Sequence, residues 1–155
     1  METLKVLNCL NCGANLNYQL GAAFTYCQYC DSVNVFDSVQ KSMNTVSDEP
    51  IKPRLMMPKE KFAANYFESE GNAQGGFLWV ADTEIFFKPH AINFGNLSKK
   101  FMNIADIVSM VKTNEMFGLQ KNLTITDING NSMKLVSWSR DKIISVIEKN
   151  KNNLS

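Results

Sequence analysis

Four cysteines carry the clearest chemistry in this chain. Cys9 and Cys12 form one Cys-x-x-Cys pair, Cys27 and Cys30 form another, and no other cysteine occurs in 155 residues. The 14 intervening residues fall just below the spacing usual for paired zinc knuckles, a difference a loop tolerates. Four thiolates are the tetrahedral donor set of a structural Zn²⁺. Two disulfides or two redox pairs would use the same residues. Disulfides suit a secreted chain, whereas Met1-Glu2-Thr3 opens no signal peptide. A redox pair needs a strand–helix context and a lowered thiol pKa, and the sequence suggests neither. The expectation is one structural zinc on Cys9, Cys12, Cys27 and Cys30. A catalytic zinc keeps an open position, which four thiolates close.

Short elements must hold this quartet. Gly13 follows Cys12 and lets the backbone turn so that amide N–H groups face the sulfurs. Asn15-Leu16-Asn17-Tyr18 alternates like a strand, Leu20-Gly21-Ala22-Ala23 reads as a turn, and Phe24-Thr25-Tyr26 returns. Val33-Asn34-Val35-Phe36 closes the module. Three short strands and two knuckles make a zinc ribbon over residues 1–37. It is too small to bury a sufficient core, so metal binding must supply its folding free energy. Cys9-Leu10-Asn11-Cys12-Gly13-Ala14, with Tyr26-Cys27-Gln28-Tyr29-Cys30, resembles the zinc ribbons at the N-termini of many bacterial proteins. Those often have Gly after the last cysteine. Here it is Asp31, which also tolerates left-handed backbone.

The charged residues of positions 1–36 are Glu2, Lys5 and Asp31. One lysine displaces too few counterions for nucleic acid. Tyr18, Phe24, Tyr26 and Tyr29 therefore read as ribbon packing or a protein-contact face rather than as base-stacking platforms. Tyr18 and Tyr29 are the contact candidates.

Residues 38–60 change character, with three of the chain's four prolines and mixed charges. This is the composition of a tether. Leu55-Met56-Met57 interrupts it with apolar bulk expected to dock on the following domain.

Residues 61–150 read as mostly β with a final helix. Phe62–Phe67 is ambiguous between strand and helix, and Glu68–Gly76 reads as a loop. Phe77–Val80 and Ile85–Lys88 form a hairpin that Pro89 stops. His90–Lys100 is a polar loop. Ile104–Val111 is a strand with an irregular start. Leu123–Ile128 alternates, Asn129-Gly130 signals a tight hairpin turn with positive φ at both positions, and Met133–Trp138 is its partner. Ser139 is the expected helix N-cap, with Asp141 in the first turn and an Ile143/Ile144/Ile147 stripe. Residues 151–155 are expected to fray.

Gly76-Phe77-x-Trp79-Val80-Ala81-x-x-x-Ile85-Phe86-Phe87-Lys88-Pro89-His90 resembles the central hairpin of GRAM domains, which belong to the pleckstrin-homology-like superfold. Ile104-x-x-Ile107-Val108, the Asn-Gly turn and Ser139-Arg140-Asp141 before a closing helix fit in order. The resemblance implies a fold that is mainly β: a small zinc ribbon plus a PH-like (GRAM) β-barrel of seven strands, capped by a C-terminal α-helix. It implies no activity, since the superfold hosts lipid, peptide and protein binding. Phosphoinositide-binding members clamp phosphates with Lys and Arg in the first strand–strand loop. Here Glu68–Gly76 has two carboxylates and no basic residue. Lys88, His90, Lys99 and Lys100 cluster in sequence, and Lys112 and Lys121 flank another loop; these are the candidates for lipid or partner contact.

The apolar fraction is 45% and the formal charge +1; four thiolates and one Zn²⁺ bring the holo chain near −1, with no global pull toward nucleic acid or membrane. No apolar run approaches the roughly 18–20 residues of a membrane span. One histidine and no nucleophile, phosphate-loop or zincin motif argue against an enzyme. The expected protein is a cytoplasmic, non-enzymatic adaptor of bacterial or phage type that binds protein partners. Anionic-lipid binding by the barrel is the alternative, and nucleic-acid binding by the ribbon a third.

Overall fold

Alternation of apolar side chains and a few turn residues set many elements of the computed structural model, which describes residues 7–17, 22–36, 53–69, 72–90 and 100–155. The chain divides into two units, Met1–Met57 and Pro58–Ser155.

The first unit holds five short strands among the described residues. β1 (Leu7–Asn8) pairs antiparallel with β2 (Asn15–Leu16). β3 (Phe24–Tyr26), β4 (Val33–Phe36) and β5 (Pro53–Leu55) form a second sheet with β4 in the centre. The expected linker over 38–60 therefore fails at its far end. Pro53–Leu55 pairs with β4, Asn34 opposite Leu55 and Phe36 opposite Pro53. Buried Met56 donates its N–H to the Val33 carbonyl at 2.9 Å. The reason lies in β4, whose four residues are all buried and which needs a neighbour on each side. Pro53 is admissible because it opens an edge strand. Leu55 and Met56 thus join the ribbon's own sheet, while Met57 is exposed. Residues 37–52 lie outside the described residues.

The second unit is a seven-stranded antiparallel sheet and one helix. β6 (Glu60–Ser69), β7 (Asn72–Val80), β8 (Glu84–Pro89), β9 (Lys100–Asn103), β10 (Ile107–Glu115), β11 (Gln120–Asp127) and β12 (Ser132–Val136) lie in the order β10-β11-β12-β6-β7-β8-β9. The edge strands β9 and β10 are not paired with one another, so the sheet is not the closed barrel expected. The sequence Glu68–Gly76 is not a loop, since β6 and β7 pair from Glu60↔Val80 to Ser69↔Asn72. Residues 70–71 between them are not described. A 3₁₀ turn at Ile104–Asp106 supplies the irregular start of β10.

Leu78, Val80, Ile85, Phe87, Leu123 and Ile125 face one core with Ile143 and Ile147 of the helix α1 (Arg140–Asn152). Burying those two isoleucines is worth about 1.5–3 kcal/mol each. The helix runs beyond residue 150, so the tail expected to fray from 151 is helical through Asn152. Asn150 Nδ2 donates to the Ala81 carbonyl at 2.8 Å, and the Lys151 ammonium donates to the Ile107 carbonyl. At the other end Ser139 makes no side-chain cap bond. Its neighbour Ser137 does the local work, accepting the Ser139 N–H at 3.2 Å and donating to the Ala63 carbonyl at 2.8 Å.

The β11–β12 turn also departs from expectation. Gly130 has φ 81° but Asn129 has no positive φ. Gly130 donates to the Asp127 carbonyl and Asp127 to the Asn131 carbonyl, the pattern of a three-residue loop ending in a left-handed glycine. The Asp127 carboxylate accepts the Asn129 and Asn131 N–H groups at 2.9 and 2.8 Å and the Asn131 amide at 2.8 Å. Those bonds, the Asn131 side chain first, hold its carboxyl below the usual range.

Gly76 sits where β7 crosses β8 closely. A Cβ there would meet the Lys88 carbonyl oxygen, Phe87 Cζ at 2.7 Å and Pro89 Cα at 2.8 Å. Two of these are backbone and cannot swing aside. Gly76→Ala should cost at least about 1–3 kcal/mol, the range for overpacking, read as a lowered urea midpoint of the second unit. Gly75→Ala, whose Cβ would meet Asn65 Oδ1 at 3.3 Å, should cost clearly less.

Candidate metal centre

Two turns of the same construction present the four sulfurs. In the first, Gly13 N–H donates to the Cys9 carbonyl at 2.8 Å and Cys9 N–H to the Ala14 carbonyl at 2.8 Å. In the second, Asp31 N–H donates to the Cys27 carbonyl at 3.1 Å and Cys27 N–H to the Ser32 carbonyl at 2.9 Å. Gly13 and Asp31, each one residue past its pair, have φ of 75° and 61°. Asp31 occupies the left-handed region as the sequence implied, and its carboxylate accepts the Tyr26 hydroxyl. That acceptor, after burial, pushes the tyrosine's pKa well up.

The sulfurs of Cys9, Cys12, Cys27 and Cys30 all lie within 4.8 Å of one another. Cys9 and Cys30 Sγ are 3.6 Å apart, as are Cys12 and Cys27 Sγ. A disulfide needs about 2.05 Å; at these separations all four are free cysteines. Around a Zn²⁺ with Zn–S of about 2.3 Å, tetrahedral sulfurs stand roughly 3.8 Å apart. The four cysteines could hold a metal ion with small adjustments.

The electrostatics favour a cation. Burial pushes the Cys9 thiol up, but the N–H groups of Cys12 and Asn11 and the Asn34 amide outweigh it and lower the pKa. The Ser32 hydroxyl and N–H bring Cys30 down to about 6. The Ala14 N–H favours the Cys12 thiolate, yet the neighbouring sulfurs, Cys30 first, together with burial push it up to about 12. Four sulfurs this close cannot all ionise unless a cation offsets their mutual repulsion.

Sequence reading missed Asn34. Strand alternation put it opposite Val33 and Val35, on a free face. It is fully buried, accepts the Leu10 N–H at 3.0 Å and directs its amide to Cys9 Sγ at 3.6 Å. It thereby ties the first knuckle to the strand after the second. Asn11 adds a peripheral tie, its amide donating to the Ser32 hydroxyl at 2.9 Å. A polar residue between two valines, four positions past the last cysteine, was the available signal.

The other candidate residues are scattered. Tyr29 is exposed at the tip of the second knuckle; Tyr18 and Lys99 lie outside the described residues. Lys88 pairs across from Phe77, with its ammonium 5.3 Å from the Trp79 ring centroid. His90 stands edge-on to Phe77 at 4.8 Å. Lys100 pairs across from Phe87, 5.7 Å from the Tyr66 ring centroid. Phe77 and Phe87 face opposite sides of the sheet, so Lys88 and Lys100 are not brought together.

No family model and no curated protein matches the chain. The C-terminal domain of an unknown protein from Leishmania infantum is similar over 61% of this chain and 84% of that one, with 12% identity and a TM-score of 0.51. The DH/PH domains of p115-RhoGEF align over 63% of this chain and 31% of theirs, at 9% identity and a TM-score of 0.46. Vav1 aligns over 62% of this chain and 27% of its own, at 13% identity and a TM-score of 0.44. The first likeness shows a shared fold.

Asn34→Ala removes a donor to Cys9 Sγ and an acceptor for Leu10. Metal affinity, measured by competition with a chromophoric chelator, should fall about 10–100-fold, as for the loss of other groups that orient metal ligands. Asn11→Ala should change it far less.

Proposed function

We propose that this protein is a non-enzymatic adaptor. A zinc ion on Cys9, Cys12, Cys27 and Cys30 folds a ribbon, and a GRAM-like domain of the pleckstrin-homology-like superfold follows it. Each unit offers a surface to protein partners in the cytoplasm. The carrying observation is the closed donor set: four sulfurs within 4.8 Å satisfy a tetrahedral ion and leave no position for substrate. The PH-like reading rests on the seven-stranded antiparallel sheet, in which the runs β6–β9 and β10–β12 are joined by pairing of β12 with β6, followed by one C-terminal helix. Exposed Leu10 and Tyr29 on the two knuckles give the ribbon apolar contact points.

Native mass spectrometry should find one zinc per chain. Chelation, acidification that protonates the thiolates, or Cys12→Ser should unfold the first unit and spare the second, whose core contains no cysteine. Finding no metal and two disulfides would refute the zinc, and joint loss of both units would refute the separation. A tagged full chain should recover a stable protein partner, and recovering none would sink the adaptor reading.

A further inference from the structure

The hairpin joining β10 to β11 ends in Met116-Phe117-Gly118-Leu119. Met116 is 67% exposed, Leu119 70%, and Phe117 is fully exposed. Met116 and Phe117 both hold positive φ, 51° and 57°, a region that side-chain-bearing residues enter rarely. The turn thus presents three large apolar side chains on a convex tip.

What surrounds the tip is equally specific. Lys121 opposes Asn114, one pair below the closing pair Glu115↔Gln120. Its ammonium lies 4.9 Å from the ring centroid of Trp138, itself 72% exposed. The nearby carboxylates are paired: Glu115 with Lys134 at 3.5 Å and Asp141 with Lys112 at 2.8 Å. An apolar tip with Trp138 and Lys121 behind it, and with its carboxylates offset by Lys134 and Lys112, has the layering of a group seated at a bilayer interface. Apolar side chains enter the acyl boundary, indole sits at headgroup depth, and ammonium groups meet lipid phosphates. A protrusion of this kind needs no shaped receptor, because a fluid bilayer closes around it.

The tip also stands at the end of the sheet away from the β6–β7 turn. Asn122 pairs with Val136 and Val136 with Asn65, and Ser137 reaches Ala63, whereas Phe67 lies toward the opposite end, near the turn after Ser69. It is separate from the first-loop site at which phosphoinositide-binding relatives of the superfold clamp headgroups.

We infer that the Met116–Leu119 tip, with Trp138 and Lys121, is a membrane-insertion element for the interface of anionic phospholipid bilayers. This goes beyond the adaptor reading and does not depend on it.

The test is cosedimentation of the zinc-loaded full chain with vesicles of phosphatidylcholine alone and with about one-fifth phosphatidylserine. Binding should be stronger to the anionic vesicles and weaken with salt. The Trp138 emission should shift to the blue on binding. Phe117→Asp, at a fully exposed position and therefore compatible with folding, should lower affinity at least about tenfold, Phe117→Trp should retain it, and Lys121→Gln should lower it on anionic vesicles only. An unchanged thermal midpoint checks that Phe117→Asp is folded. No binding of the unaltered chain to either vesicle overturns the inference. So does equal binding by folded Phe117→Asp, or loss on Phe117→Asp of a protein partner that the chain captures without binding vesicles.

Discussion

Repulsion among four sulfurs is the constraint on which the first unit depends. The small apolar cluster beside β1 and β2 consists of Cys9, Leu16 and Cys27, with Leu7, Ala14 and Cys30 packed against it. Half of that cluster is cysteine. Without a cation some of these thiols must stay protonated, and the cluster lacks the ion that would tie its two turns together. The backbone turns at Gly13 and Asp31 and the buried Asn34 then have a single purpose: they fix directions that a cation can exploit. Small modules of this kind do not merely hold a metal; their fold and their metal affinity are one quantity.

The second unit answers the same problem with apolar burial. Ninety-odd residues suffice to close one apolar core, and α1 completes it from one side with two fully buried isoleucines. Polar ties from the helix ends to backbone carbonyls add to it. Arg140, at the helix start, is buried and donates to the carbonyls of Thr113 and Asn122 at 2.8 and 3.2 Å. Asn150 and Lys151 at the other end bond carbonyls of the β7–β8 turn and of β10. The helix is thus tied at its start to the adjacent strands β10 and β11, and at its end to β10 and to the β7–β8 turn. The exposed ion pairs contribute little beside this.

Much of this arrangement was legible in the sequence, and the failures have physical causes. The cysteine quartet, the β7–β8 hairpin and the Ile143/Ile147 stripe follow from spacing and period, because their partners are local or their chemistry is specific. Residues 53–56 failed because proline and mixed charge read as tether, and no local signal says that β4 needs a second neighbour. Glu68–Gly76 failed for the opposite reason: its polar residues and glycines suppress strand propensity, and pairing with β6 overrides it. Ser139 takes the N-cap position that its residue type suggested, but without a side-chain bond, since the local hydrogen bonds run through Ser137. Asn34 was hidden by alternation, which predicts faces only where one face is open. The closed barrel came from the resemblance; the pairing of β9 with β10 that it requires is absent among the described residues.

Strand β11 offers an internal control on the meaning of its two turns. At one end, Asp127 caps three donors and Gly130 takes the left-handed position, so each residue type matches what the backbone demands. At the other end, Met116, Phe117 and Gly118 all take positive φ, and only the last of the three is glycine. The same strand, in the same sheet, is closed once with suitable turn chemistry and once against it. Folding alone would favour the first solution at both ends, since glycine or asparagine relieves the backbone and a polar tip removes exposed apolar surface. Local conflict of this kind concentrates where a surface is used rather than where a fold is held. The second turn has two such conflicts at once, in backbone and in exposure, and a bilayer removes the larger of them by covering the phenyl ring.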